Sequence, residues 1–216
     1  MNIKQIIKTI CICISALGFF VPSSSSALII LDQDYIDYAI AGSSTVANDR
    51  TQYQTVTTGV TGILANIDVS VMKRPDAFED LLLGVWSTNV SGLLESQLAS
   101  FSISAENIST DIVNFDVLSA NLLFSAGDIF AISLNSDAIN VGTSFSERYE
   151  WRYPSNAPDY EGGQAFTCIP DISNCFAQFG KDYLFRTYVQ TVPIPATIWL
   201  IGLGIGLISV ARRKKS

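Results

Sequence analysis

The chain has 216 residues, with 20 acidic residues, 13 basic residues and no histidine. Its formal charge of −7 opposes binding to nucleic acid or anionic lipid, whose phosphates require a basic surface. Without histidine there is no Ser-His-Asp or Cys-His nucleophile and none of the usual zinc sites.

At the N-terminus, Lys4 and Lys8 precede an apolar run from Ile10 to Val21, a break at Pro22 and the small residues Ser25-Ser26-Ala27. This is the pattern of a secretory signal peptide spanning residues 1–27, and it predicts export. An uncleaved anchor would need an apolar stretch longer than about a dozen residues. Cys11 and Cys13 lie inside the run and leave with the peptide; neither follows a lipoprotein-type cleavage box.

Residues 28–191 form the predicted exported domain, long enough to bury a full core. All twenty acids fall here against seven basic residues, Arg50, Lys73, Arg74, Arg148, Arg152, Lys181 and Arg186, a net charge of −13. Such a surface serves solubility or weak calcium binding. Asp32, Asp34 and Asp37 cluster near the mature N-terminus and offer hard oxygen ligands, although they lack the glycine and terminal glutamate of an EF-hand loop. Calcium is the metal to expect outside the cell, solvated acids are the other reading, and no cofactor is required.

Between Asp34 and Ala41 the pattern fits a short helix or an irregular lead-in. From there, period-two alternation dominates. Ile67, Val69 and Val71 alternate with Asp68 and Ser70, Phe101, Ile103 and Ala105 with serines, and Val113, Phe115 and Val117 with Asn114 and Asp116. Further strands are expected over residues 52–58, 81–86, 128–135, 148–153, 163–168 and 183–190. Turn residues separate them at Gly59-Val60-Thr61-Gly62, Ala126-Gly127-Asp128 and Gly162-Gly163. So many short strands predict an all-β fold, an antiparallel β-sandwich of jelly-roll type. Carboxylates for glycoside hydrolysis would have to sit roughly 5 to 10 Å apart across a cleft, which sequence spacing does not reveal, so no catalytic residue is assigned and the chain is read as a non-enzyme.

Tyr149, Trp151 and Tyr153 recur at strand spacing and project to one face, with Tyr160 and Phe166 nearby. Flat aromatic faces suit stacking on sugar rings, which makes Tyr149, Trp151, Tyr153 and Tyr160 candidate glycan-binding residues. The same row also fits a sandwich core, with Glu150 and Arg152 on the solvent side. Trp86, following Leu81 to Val85, reads as core. Cys168 and Cys175, separated by Ile-Pro-Asp-Ile-Ser-Asn, are the cysteines left after signal removal. In an oxidising compartment they are expected to form a disulfide, and closing so short a loop contributes about 2 to 3 kcal/mol. A redox or metal pair is the alternative, but the spacing is not Cys-x-x-Cys and histidine is absent.

Leu31-Asp32-Gln33, Gln54-Thr55-Val56, Gly59 to Leu64, Tyr160-Glu161-Gly162-Gly163-Gln164-Ala165 and Phe185-Arg186-Thr187-Tyr188-Val189 are scattered over the domain. Through them the domain resembles a group of secreted bacterial β-sandwich modules that occur with interchangeable surface anchors. The resemblance implies a fold and no particular activity. The segment from Cys168 to Cys175 is an elaboration on that pattern.

The C-terminus carries Val192-Pro193-Ile194-Pro195-Ala196, an apolar run from Thr197 to Val210, and Arg212-Arg213-Lys214-Lys215. A helix from Val192 to Ala211 would be roughly 30 Å long, just enough to cross a bilayer core. The cations behind it would stay cytoplasmic, leaving everything before Val192 outside. Motif, short span and basic end together resemble the PEP-CTERM sorting signal of Gram-negative bacteria. Ile194 stands where the commonest motif has glutamate, so the closer match is the Val-Pro-Leu-Pro-Ala subtype.

That resemblance implies recognition by an exosortase, a membrane-embedded cysteine peptidase or transpeptidase that cuts at the motif and releases or re-anchors the domain. An uncut tail anchor is the plain alternative. The expected protein is exported, passes through the inner membrane as an intermediate and ends at the cell surface or outside. Its expected role is structural or adhesive in the extracellular matrix, with exopolysaccharide as an expected partner because the sorting family accompanies its production. A carbohydrate-binding module is the rival reading.

Overall fold

The computed structural model describes residues 27–109, 111–137, 147–155 and 159–192. The predicted signal peptide up to Ser26, the predicted transmembrane helix and basic tail, and the predicted sorting motif from Pro193 onward lie outside these residues. Among the described residues no helix is long and apolar enough to cross a membrane. The segment Leu28–Val192 is one compact unit.

Thirteen strands are described, in chain order β1 (Ile29–Tyr35), β2 (Ile40–Val46), β3 (Thr51–Thr57), β4 (Gly62–Lys73), β5 (Leu81–Thr88), β6 (Leu94–Ile103), β7 (Ile112–Asp116), β8 (Leu123–Phe124), β9 (Ile129–Ser136), β10 (Tyr149–Pro154), β11 (Ala165–Cys168), β12 (Cys175–Ala177) and β13 (Phe185–Gln190). Short 3-10 turns follow β6 and β7. One sheet runs β1-β13-β4-β10-β2, with β7 and β8 also paired to β4; the other runs β12-β11-β3-β9-β5-β6. All pairings between the strands are antiparallel. The two sheets pack face to face as a β-sandwich, the fold class the alternating sequence predicts.

The alternation decides what lies between the sheets. Ile67, Val69 and Val71 of β4 are fully buried, and they meet Leu81, Leu83 and Val85 of β5 and Phe130, Ile132 and Leu134 of β9 in one core cluster. Val113, Phe115 and Val117 belong to the same cluster. At about 25 cal/mol per Å² of apolar area removed from water, rows of this kind supply the main driving force of the fold.

β4 is long enough to serve two neighbours along one edge. β13 pairs with its residues from Ile63 to Val69, and β10 takes over from Val71 to Lys73. Where they diverge, the Leu184 N–H donates to Arg152 O (2.9 Å) and Leu184 O accepts the Ser70 N–H (3.1 Å). The indole N–H of Trp151 donates to the same carbonyl at 3.0 Å. The ring stacks on Tyr183 with centroids 4.6 Å apart and planes 14° from parallel, filling the fork.

Two expectations are corrected. Residues 34–41 form no helix: β1 continues through Tyr35 and β2 starts at Ile40, each held by a strand from late in the chain, β13 and β10. Trp86 is not in the inter-sheet core. Leu83 and Val85 point inward, so Trp86 lies on the outer face of the second sheet, half-buried, with its indole N–H donating to Ser133 Oγ at 2.8 Å. It joins a smaller apolar cluster of Tyr53, Ala131 and Phe166, in which the Tyr53 and Phe166 rings stack at 4.6 Å.

Candidate functional site

Tyr149, Trp151 and Tyr153 do share one face of β10, but that face looks inward. Tyr149 and Trp151 are both 0% exposed, so neither presents a ring to a glycan. Burial, then the nearby Asp80 and Glu79 charges, pushes the Tyr149 hydroxyl up to about 12. It donates to Glu79 O at 2.7 Å. Tyr153 is half-buried, with Lys181 Nζ 5.3 Å from its ring centroid. Tyr160 meets Phe185 edge-on at 5.1 Å and donates its hydroxyl to Gln33 Oε1 at 3.0 Å. The four rings therefore form no sugar-stacking platform; they build the core and one of its margins.

Glu150, expected on the solvent side of that row, is 4% exposed. It accepts from Ser43, from Arg74 at 2.7 and 2.9 Å, and from Arg148 at 3.0 and 3.2 Å. Burial alone would raise its carboxyl, yet the bonds from Ser43, Arg74 and Arg148 outweigh it and hold the group below its ordinary 4.5. A carboxylate depressed in the folded state stabilises the fold above its unfolded value and loses that contribution as the pH falls. Glu150→Gln is expected to cost about 2 kcal/mol at neutral pH, less than a fully buried pair because Arg74 is partly solvated. Urea unfolding should show the gap to wild type closing as the pH drops below about 4.5; a gap independent of pH would refute the assignment.

The three calcium candidates are engaged in other work. Asp32 Oδ1 accepts the N–H groups of Gly59 (2.8 Å) and Val60 (2.7 Å), and Oδ2 accepts from Thr187 Oγ1 at 3.1 Å. Arg186 binds Asp34 at 2.8 Å and also pairs with Asp37. Among the described residues no group of three or more Cys, Asp or Glu side chains is placed to hold a metal ion. Cys168 and Cys175 stand opposite each other on β11 and β12 and are joined as a disulfide. Of the predicted sorting motif, Val192 is described, and it is half exposed.

Segments scattered along the sequence converge in space. Asp32 ties β1 to the turn after β3 and to Thr187 of β13. Thr55 exchanges bonds with Gln164, its N–H donating to Gln164 O (3.0 Å) and its Oγ1 accepting the Gln164 N–H (2.7 Å). Gln54 Nε2 donates to Asp182 Oδ1 (3.1 Å) while Gln54 Oε1 accepts the Tyr183 N–H (3.0 Å). The Tyr160 N–H donates to Asp182 Oδ2 at 2.8 Å. Burial raises the Asp182 carboxyl, partly offset by these donors. A buried network satisfied this fully specifies one arrangement of strands.

Beside this network opens a cleft of about 390 Å³. It is lined by Thr55, by Thr88, Asn89, Val90 and Gly92 at the β5–β6 connection, by the segment Gly127–Ile129, and by Gly162–Gly163. The walls are pinned. Asn89 Oδ1 accepts the N–H groups of Ser91 (2.9 Å) and Leu93 (3.1 Å), and Asp128 Oδ2 accepts that of Ser125 (2.7 Å). The Gly127 N–H donates to Thr58 O at 2.7 Å, and Thr57 Oγ1 to Gly162 O at 2.6 Å. Gly163 packs so closely on β3 that a Cβ there would lie 1.8 Å from Thr55 O. Val90 is fully exposed at the lip and Ile129 is 54% exposed.

The sequence reading placed turns at Ala126-Gly127-Asp128 and Gly162-Gly163 without joining them into a site. The signal was present as turn-forming Asn, Asp and Gly residues, but such residues mark turns wherever they occur. Comparison of the chain with models of protein families gives no match, and comparison with curated proteins gives none either.

Proposed function

We propose that this is an exported protein, delivered by its N-terminal signal peptide, processed by an exosortase at Val192 to Ala196, and held at or released from the cell surface. There its sandwich serves a structural or adhesive role in the extracellular matrix, without catalysis. The observation that carries this reading is the coincidence, at opposite ends of one chain, of an export signal and a Val-Pro-Ile-Pro-Ala motif followed by a short apolar run and Arg-Arg-Lys-Lys. The Cys168–Cys175 disulfide supports it, because such bonds persist in oxidising compartments. The acidic domain supports it as well, since it has no attraction to nucleic acid and stays soluble outside the cell.

Intact mass spectrometry of the native protein from membrane and medium, with and without reduction, tests the proposal. The expected species starts near Leu28, lacks the residues beyond about Ala196 and gains two hydrogens on reduction. A species retaining the full tail in both fractions would overturn the sorting step and leave a single-span membrane protein.

A further inference from the structure

The geometry points to a binding site for a neutral, hydroxyl-rich saccharide in the cleft between the β5–β6 turn, Gly127–Ile129 and Gly162–Gly163. This goes beyond the export reading and does not depend on how the chain is anchored.

Of the polar side chains that line the cleft, Asn89 and Asp128 are half used by their own turns, the Thr88 hydroxyl is unused, and Thr55 is bonded to Gln164. Asn89 uses Oδ1 on its own turn and has no partner for its Nδ2 group among the described residues. Asp128 uses Oδ2 on Ser125 and has none for Oδ1, and the Thr88 hydroxyl has none either. Asn89, Asp128 and Thr88, which offer a donor, a charged acceptor and a group that does both, are all lining residues of this cleft. The complementary ligand carries groups that donate and accept at once, which is what sugar hydroxyls do.

Charge and shape narrow the class. Among the described residues no lysine or arginine lines the cleft, and Asp128 does, so a phosphate, sulfate or uronate would meet repulsion without compensation. Val90 and Ile129 supply aliphatic surface for the C–H face of a ring. The cleft's volume of about 390 Å³ lies in the range of small-ligand sites. Because the walls are already fixed by their own hydrogen bonds, binding orders little of the protein.

The test uses the full-length chain, labelled with 15N-glycine, in a detergent without sugar headgroups. Four of its 14 glycines, Gly92, Gly127, Gly162 and Gly163, line the cleft, and Gly42 on β2 serves as an internal control. The probes are neutral β-1,3-, β-1,4- and α-1,4-glucan and mannan hexamers, with oligogalacturonate as the charged comparison. At least one neutral probe is expected to shift the cleft amides saturably and leave Gly42 unmoved. Asp128→Asn, which keeps an acceptor for Ser125, should weaken that binding about tenfold or more, and Thr88→Val by a few-fold. Val90→Asp, at a position too exposed to disturb folding, should weaken it as well.

Cleft amides unmoved by every neutral probe at millimolar concentration would overturn the inference. So would shifts caused by the uronate alone, or shifts that survive all three substitutions unchanged. None of these results bears on signal cleavage or sorting, which mass spectrometry reads separately.

Discussion

Trp151→Ala is expected to destabilise the folded domain by about 4 kcal/mol, in the range for losing a large buried aromatic. The side chain is 0% exposed at the point where β10 and β13 part from β4, and its removal empties the fork. The stacking on Tyr183 goes with it, along with the bond to Leu184 O. For a domain of this length the melting temperature should fall by roughly 8 to 16 °C. Trp151→Phe separates the terms: it keeps one six-membered ring, loses the N–H and the volume of the second ring, and leaves Leu184 O accepting from Ser70, so it should cost about 2 kcal/mol. Urea unfolding followed by circular dichroism reads both. A Trp151→Ala protein as stable as wild type would put the indole at the surface and restore the aromatic face of β10 as a glycan platform.

Gly163→Ala is expected to cost about 3 kcal/mol or more, because here the obstruction is backbone and not a side chain that can turn aside. The new Cβ would sit 1.8 Å from Thr55 O and 2.9 Å from Thr55 Oγ1. Relief requires Gly163–Gln164 to move away from β3, which breaks the Thr55–Gln164 exchange of bonds and shifts one wall of the cleft. The variant should therefore both unfold at lower denaturant and lose binding of any ligand in that cleft. Gly127→Ala is a useful contrast. Its φ of +93° strains any other residue, but a Cβ there meets nothing within 4 Å, so only the conformational cost applies, about 1 to 2 kcal/mol. Equal effects at the two positions would argue against the collision.

Several elements were legible before any coordinates. Strands β3, β5, β7, β9, β10, β11 and β13 fall within a few residues of where the sequence places them, and alternation also marks the middle of β4 and the end of β6, although Ala105 falls in the 3-10 turn after it. The strands that escaped are β1, β2, β8 and β12. β8 and β12 are only two and three residues long, too short for a period to register. β1 and β2 lie where the pattern is ambiguous, and their pairing is with β13 and β10: Ile29 stands opposite Gln190, and Val46 opposite Tyr149.

Alternation also predicts that a strand has two different faces without saying which one is covered. On β10 the aromatic row turned inward, and the charged face beyond it was closed over Glu150 by Arg74, Arg148 and Ser43. On β5 the indole fell on the outer side, where Tyr53 and Phe166 give it company.

By itself, then, the sequence determined the β class, the placement of most strands, the acidity of the domain and the pairing of the last two cysteines, and it carries the terminal patterns from which export is proposed. These depend on side-chain type and on local period, which a linear chain displays. Only the tertiary structure decided which faces are buried, that Asp32, Thr55, Tyr160 and Thr187 belong to one neighbourhood, and that three separate turns enclose a cleft. Such facts arise from hydrogen bonds between strands more than a hundred residues apart, and nothing local in the chain encodes the partner.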